Sequence, residues 1–305
     1  MSDRITVAVI GAGLMGHGIA QVFARAGHAV RIADPDAAAR EQALRHIERN
    51  LREEDVDPAP VLSRLSLAER LETAVAGADV VFEAVTERLA LKQQLFAEAA
   101  RHAPQYAVLA SNTSVIPITR IGESLDAGAR ARLLGTHWWN PPHLIPLVEV
   151  VRTAWTDPGV VERTCGWLDR VGKKPVKVQR DIAGFIGNRL QHAMWREAIA
   201  LVDAGVCDAE AIDTVVKHSF GLRLPVLGPI ENADLVGLEL TREVHRNLFP
   251  ELCRDTTSSP LLDRLIAAGD TGMRAGRGLR SWTPEQAEAV RRDLAGHLFS
   301  MIRRT

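Results

Sequence analysis

Short apolar runs alternate with longer amphipathic stretches through the first half of the chain. Runs of strand length fall at residues 5–10, 29–33, 80–84, 108–110, 133–137 and 147–151, and a last one at 176–178 precedes Asp181. Between them, over 16–25, 37–53, 89–99 and 158–171, the apolar positions recur every three or four residues, the period of a helix with one buried face. Strands alternating with helices build βαβ units. This half therefore predicts a doubly wound, mostly parallel sheet covered on both faces. After Asp181 the strand signals nearly vanish. Residues 185–202 read as one long helix, Asp208 caps another, and 241–248 and 259–268 give two more. The pattern predicts an α/β domain over residues 1–182 and an all-α domain over 183–305.

Composition narrows the class without naming a chemistry. At 305 residues, 46% hydrophobic and 25% charged, the chain has material for about two ordinary globular domains. Its 37 basic and 38 acidic residues nearly cancel, which leaves no electrostatic footprint for nucleic acid or an anionic membrane. The three cysteines, Cys165, Cys207 and Cys253, are far apart, offering neither a metal site nor a disulfide framework. The apolar run at residues 5–10 is too short for a signal peptide core or a membrane span. The expectation is a cytoplasmic protein with no metal, no nucleic-acid partner and no membrane contact.

Gly11-Ala12-Gly13-Leu14-Met15-Gly16 follows the first strand and opens the first helix. A G-x-G-x-x-G string alone is weak, because turns use glycine freely. In this context the three glycines serve different ends. Gly11 allows the tight turn, Gly13 the close approach of a pyrophosphate, and Gly16 the packing of helix on strand. The second strand ends at Asp34, eighteen residues after Gly16. A carboxylate there binds ribose hydroxyls and repels the 2′-phosphate that distinguishes NADP from NAD. The sheet is thus expected to be Rossmann-type and the cofactor NAD.

Chemistry needs other residues. His137 ends one strand in Gly135-Thr136-His137-Trp138-Trp139-Asn140, and Glu149 lies in the run Leu147-Val148-Glu149-Val150-Val151. A carboxylate among β-branched residues is expected to be buried, and a buried charge needs a partner. If the two strands are neighbours, His137 supplies it, and a carboxylate-held imidazole is the base a dehydrogenase uses. The bland alternative, a histidine at a strand end and a glutamate tied to a nearby arginine, stays open on spacing alone.

At these residues the chain resembles the L-3-hydroxyacyl-CoA dehydrogenase family. The likeness runs through GAGLMGHGIAQVFA at 11–24, SNTSVIPIT at 111–119, GTHWWNP at 135–141, LVEVV at 147–151 and GFIGNR at 184–189. The resemblance implies that His137 is the general base and Glu149 its orienting carboxylate. It implies that Ser114 and Asn188 hold substrate oxygens, and that Glu87, Lys92, Ser114 and Asn140 contact the nicotinamide half of NAD, with Leu14 and Met15 in the phosphate loop. It also implies a homodimer formed through the helical domain, and a CoA thioester of fatty-acid metabolism as the default substrate.

Three departures bear on that substrate. Trp138-Trp139 replaces the family's usual pair of phenylalanines, which narrows the acyl pocket or fills core. Ala183 replaces a proline. The stretch expected to face CoA phosphates reads Arg52-Glu53-Glu54-Asp55-Val56-Asp57, whose acids repel a polyanion unless they are only a solvated helix end. Arg223, in Gly221-Leu222-Arg223-Leu224-Pro225, resembles a position in relatives that oxidise free hydroxy acids, where a guanidinium grips a carboxylate. A small free acid held by Arg223 is therefore the rival substrate, and a non-catalytic NAD-binding or structural protein the rival of another class.

Overall fold

The structure is a computed structural model that describes residues 4–302. Its first unit comprises β1 (Thr6–Ile10), α1 (Leu14–Arg25), β2 (Ala29–Ala33), α2 (Ala37–Glu53), α3 (Ala59–Leu62), β3 (Leu65–Ala68), α4 (Leu71–Val75), β4 (Val80–Glu83), α5 (Leu89–His102), β5 (Val108–Ser111), α6 (Ile118–Gly122), α7 (Ala127–Ala131), β6 (Leu133–Trp138), β7 (Leu147–Val151), α8 (Pro158–Arg170) and β8 (Lys174–Val178). The strands form one eight-stranded sheet in the order β3-β2-β1-β4-β5-β6-β7-β8. Every pairing is parallel except β6 with β7. This is the doubly wound, mostly parallel sheet that the alternating pattern predicts. The chain reverses its winding between β1 and β4, and such a switch point opens a crevice at the strand ends.

Alternation along the strands divides the core into two layers. Val7 and Val9 of β1 join Ile19, Phe23 and Trp138 on one face, whereas Ala8 and Ile10 join Phe96, Leu109 and Phe185 on the other. Helix starts are fixed by side-chain caps. Asp36 accepts the Ala38 amide at α2, and Asp157 accepts the Gly159 amide at α8 with Pro158 following.

The second unit is helical: most of α9 (Gly187–Asp203), α10 (Ala209–His218), α11 (Pro229–Val236), α12 (Leu238–Leu248), α13 (Pro260–Ala267) and much of α14 (Pro284–Ile302). Asp208 caps α10 by accepting the Ala211 amide. The compact units divide at Asn188/Arg189, later than the change of pattern after Asp181 (boundary 182/183), and residues 297–302 fall with the first unit. Several elements escape the sequence pattern, among them the short helices α3, α4, α6, α7 and α11, the edge strand β3 and the last helix α14. β3 is four residues long on the sheet edge with two of them exposed, so no apolar run marks it. In α14 the apolar positions are spread around the helix rather than gathered on one face, so its stripe is faint. Among the described residues no helix is long and apolar enough to cross a membrane.

Candidate active site

The antiparallel pairing of β6 and β7 sets His137 directly opposite Glu149. Both side chains project from the sheet face away from α1, because their neighbours Trp138, Val148 and Val150 pack into the layer beneath it. His137 Nδ1 lies 2.7 Å from Glu149 Oε2, with the residues 4% and 1% exposed. The other carboxylate oxygen, Oε1, accepts the amides of Ile186 at 2.8 Å and Gly187 at 3.0 Å. Burial pushes the Glu149 carboxyl up, but the bonds from His137, Gly187 and Ile186 outweigh it and leave its pKa below the ordinary value. An ionised carboxylate accepts hydrogen bonds only, so Nδ1 is the donor and the lone pair of the imidazole sits on Nε2.

The walls around the pair come from the segment after β8 and from Trp139. Phe185, at φ +48°, places its ring 5.5 Å from the His137 ring, and Trp139 lies 5.5 Å from it as well. Trp139 also leaves no room for a side chain at Gly187, whose Cβ would meet the indole. Trp138 instead points into the core against Phe23 and Phe82. The two tryptophans thus divide the alternatives: one fills core and the other borders the histidine.

At the crevice, Gly11 has φ +103° and a Cβ there would fall 2.7 Å from the Ala84 carbonyl oxygen. A Cβ on Gly16 would collide with the Gly11 carbonyl. Gly13 is different, since a Cβ there would meet nothing within 4 Å. It borders an open cradle above the first turn of α1, where the amides of Leu14, Met15 and Gly16 have no acceptor within the helix. Asp34 ends β2 beside this loop; its Oδ2 accepts the Ala12 amide and its Oδ1 the Asp36 amide, both at 3.0 Å. A cradle, a helix N-terminus and a strand-end carboxylate together fit the pyrophosphate and ribose of NAD. Arg31 is turned away, donating to the carbonyls of Ala74 and Ala76. Arg40, which sequence spacing does not single out, folds back to donate to the Asp34 carbonyl at 2.5 Å.

The remaining site residues form a braced loop. Glu87 Oε1 accepts the Thr113 hydroxyl, the Ser114 amide at 2.9 Å and the Val115 amide at 3.1 Å. Burial raises the Glu87 pKa, and these bonds together with Lys92 bring it below the usual carboxylate value. Lys92 is enclosed, 1% exposed, with Nζ 2.7 Å from Glu83 and 3.2 Å from Glu87. It is therefore no solvated helix charge but the counter-ion of Glu83 and Glu87. Glu83 also accepts the Ser111 hydroxyl at 2.6 Å. Sequence reasoning missed Glu83, although it carries the signal that marks Glu149, a carboxylate in an apolar run. Asn188 Nδ2 donates to the Ser114 carbonyl at 3.1 Å, so these two meet across 74 residues of chain. Asn140 is exposed just beyond β6. Arg223 is exposed in the second unit, capping a short 3-10 turn at Phe220–Leu222, and makes no ion pair among the described residues. The acidic run is less uniform than its composition suggests: Glu54 turns inward to Gln21 and Arg25, while Glu53, Asp55 and Asp57 are exposed.

Fold, glycine cradle and strand-end aspartate define an NAD-dependent oxidoreductase of the Rossmann class. Residues 6–182 match the 3-hydroxyacyl-CoA dehydrogenase NAD binding domain and residues 184–282 the C-terminal domain of the same family. The chain belongs to the 3-hydroxyacyl-CoA dehydrogenase family. It is 33% identical over 303 residues to the 5-formyl-3-hydroxy-2-methylpyridine 4-carboxylate 5-dehydrogenase of Mesorhizobium japonicum, covering 97% of both chains. It is 37% identical over 294 residues to a 3-hydroxybutyryl-CoA dehydrogenase of Mycobacterium tuberculosis, covering 92% of this chain and all of that one (100%). Among solved structures, a 5-formyl-3-hydroxy-2-methylpyridine 4-carboxylic acid 5-dehydrogenase superposes with TM-score 0.89 at 32% identity, covering 98% of each chain. The (S)-3-hydroxybutyryl-CoA dehydrogenase of Ralstonia eutropha gives 0.75 at 29% identity, with 91% of this chain and 99% of that one covered.

Proposed function

We propose that the chain transfers a hydride between NAD and the alcohol carbon of a small free hydroxy acid, with His137 as general base. The observation that carries the chemistry is the buried His137–Glu149 pair, 2.7 Å apart. Glu149 fixes the ring so that Nε2 is free to take the hydroxyl proton as the adjacent carbon gives up its hydride. NAD, when bound, supplies the hydride acceptor. Ser114 and Asn188, already joined to each other, position the substrate oxygen, and Asp34 with residues 11–16 holds the dinucleotide. Glu87 keeps the Ser114 loop in place, with Lys92 behind it, and Asn140 stands at the nicotinamide end.

For the substrate, the higher structural likeness is to the pyridine-carboxylate enzyme, TM-score 0.89 against 0.75 for the thioester enzyme. Arg223, exposed and without an ion pair among the described residues, provides the grip for a carboxylate. A CoA thioester is the second reading, supported by the family's own description and by relatives named for such substrates. A non-catalytic role fits poorly with an intact buried dyad. Assembly as a homodimer is supported by the helical unit, whose Val226, Ile230 and Leu235 are 88%, 76% and 72% exposed. A cytoplasmic location agrees with the three free cysteines.

The test is NADH formation with 3-hydroxybutyryl-CoA beside a panel of free hydroxy acids and pyridine carboxylates. A free acid is expected to exceed the thioester in kcat/KM, and Arg223→Leu to raise the KM of that acid at least tenfold. Preference for the thioester, with Arg223→Leu unchanged, would move the assignment to the second reading.

A further inference from the structure

The opposite face of the sheet carries a cavity that the dyad does not use. Its volume is about 640 Å³, and Arg25, His143, Arg170 and Lys173 line it together with Leu144 and Met301. Trp138 separates it from the catalytic face: its ring points away from His137, and Lys173 Nζ sits 5.6 Å from the ring centre. The cavity is also remote from the dinucleotide cradle. Arg25 is in the last turn of α1, whereas the cradle lies at the first turn, at the other end of the helix.

Lys173 is the unusual wall residue. It is 5% exposed, and Nζ donates to the carbonyls of Pro142 at 2.6 Å and Ile145 at 3.0 Å. An ammonium has three donors, so one remains, and no carboxylate lies within ion-pair distance of it among the described residues. Burial, with Arg25 nearby, holds its pKa down to about 8 against a weaker opposing pull from Glu54. A buried cation without a counter-charge is unfavourable. Arg170, on the rim, makes no ion pair among the described residues. The nearby acid, Glu54, already accepts from Arg25 and Gln21. His143 is neutral, since burial lowers its pKa to about 4, and its Nδ1 has no partner. The cations therefore exceed the acids around a cavity whose other walls are mostly apolar.

We propose that this cavity is a second ligand site for an amphiphilic organic anion, its carboxylate held by Lys173 and Arg170 and its apolar body against Leu144 and Met301. The size suits a small ligand, within the ~300–1,000 Å³ common for such sites. The site stands independently of the dyad and of Arg223.

Calorimetric titration of the full-length protein tests it, with octanoate, octylammonium and sulfate as probes. Octanoate is expected to bind, octylammonium not to bind, and sulfate to bind more weakly than octanoate. Lys173→Met and Arg170→Leu should each weaken octanoate at least tenfold, while Arg223→Leu leaves this binding unchanged. Arg170 is exposed, so its variant keeps the test decisive if Lys173→Met does not fold. Octanoate affinity equal in wild type and Arg170→Leu, or no octanoate binding at all, overturns the site. Sulfate binding as tightly as octanoate overturns its amphiphilic character. Loss of octanoate binding in Arg223→Leu alone assigns the binding to the substrate site instead.

Discussion

His137 and Glu149 face each other across the one antiparallel pair of the sheet, with Nδ1 2.7 Å from Oε2. The same carboxylate reaches, through Oε1, the amides of Ile186 and Gly187 where α9 begins. One residue thus orients the imidazole and anchors the start of the long helix. A glutamine in its place keeps the shape but loses the charge that stabilises a protonated ring. Glu149→Gln should lower kcat by roughly 10²–10⁴ and move the acidic limb of the pH–rate profile to lower pH. Steady-state NADH formation from pH 5 to 9 measures both effects, and an unchanged rate and profile would rule out the pairing as the active dyad.

The carboxylate environment also sets acid stability. Glu149 and Glu87 have pKa values below the ordinary 4.5 in the folded protein. A depressed folded pKa means that the unfolded chain binds protons first on acidification. The stabilisation is therefore complete above pH 4.5 and is lost as pH falls through the lower folded values. Thermal melts of wild type and Glu149→Gln between pH 7 and 3 should show a Tm gap that narrows below that point.

Behind the Ser114 loop, Lys92 is fully enclosed between Glu83 and Glu87. Removing the cation leaves Glu83 buried without its counter-charge. Lys92→Met should cost about 3–5 kcal/mol of stability, the usual penalty for breaking a buried pair. Urea denaturation followed by circular dichroism reads this loss, and a change below about 1 kcal/mol would contradict the brace.

These residues show where sequence stops being sufficient. β1, β4, β6 and β7 are visible as apolar runs because both of their faces are buried. β3 is not, since an edge strand with two exposed positions needs no continuous run. Glu149 is legible for a physical reason, the expense of a charge among β-branched neighbours, and Glu83 carries the same mark. The contact of Asn188 with Ser114 spans 74 residues and follows from the path of the chain after β8, which no spacing encodes. Arg40 reaches Asp34 only through the turn that starts α2. The inward turn of Glu54 is likewise a consequence of α2 packing on α1, so the run of acids is weaker as an exposed patch than its letters suggest.

Asp34 sits against the glycine loop through the Ala12 amide, which holds it at the ribose end of the cradle. In the proposed binding mode its charge repels a 2′-phosphate. Asp34→Ser should reduce the preference for NAD over NADP by at least tenfold in kcat/KM, because the carboxylate that repels the added phosphate is gone while Arg40 stays bonded to the backbone beside it. Parallel assays with both dinucleotides check this.

The central claim is that His137 is the base and the dinucleotide binds independently of it. The most direct measurement is His137→Ala, assayed for NADH formation on the best substrate of the screen, with NAD affinity determined on the same preparation by fluorescence titration. With His137 as the base, kcat should fall by roughly 10²–10⁴ while NAD affinity stays within about threefold of wild type. Turnover retained within tenfold, alongside normal NAD binding, would contradict it.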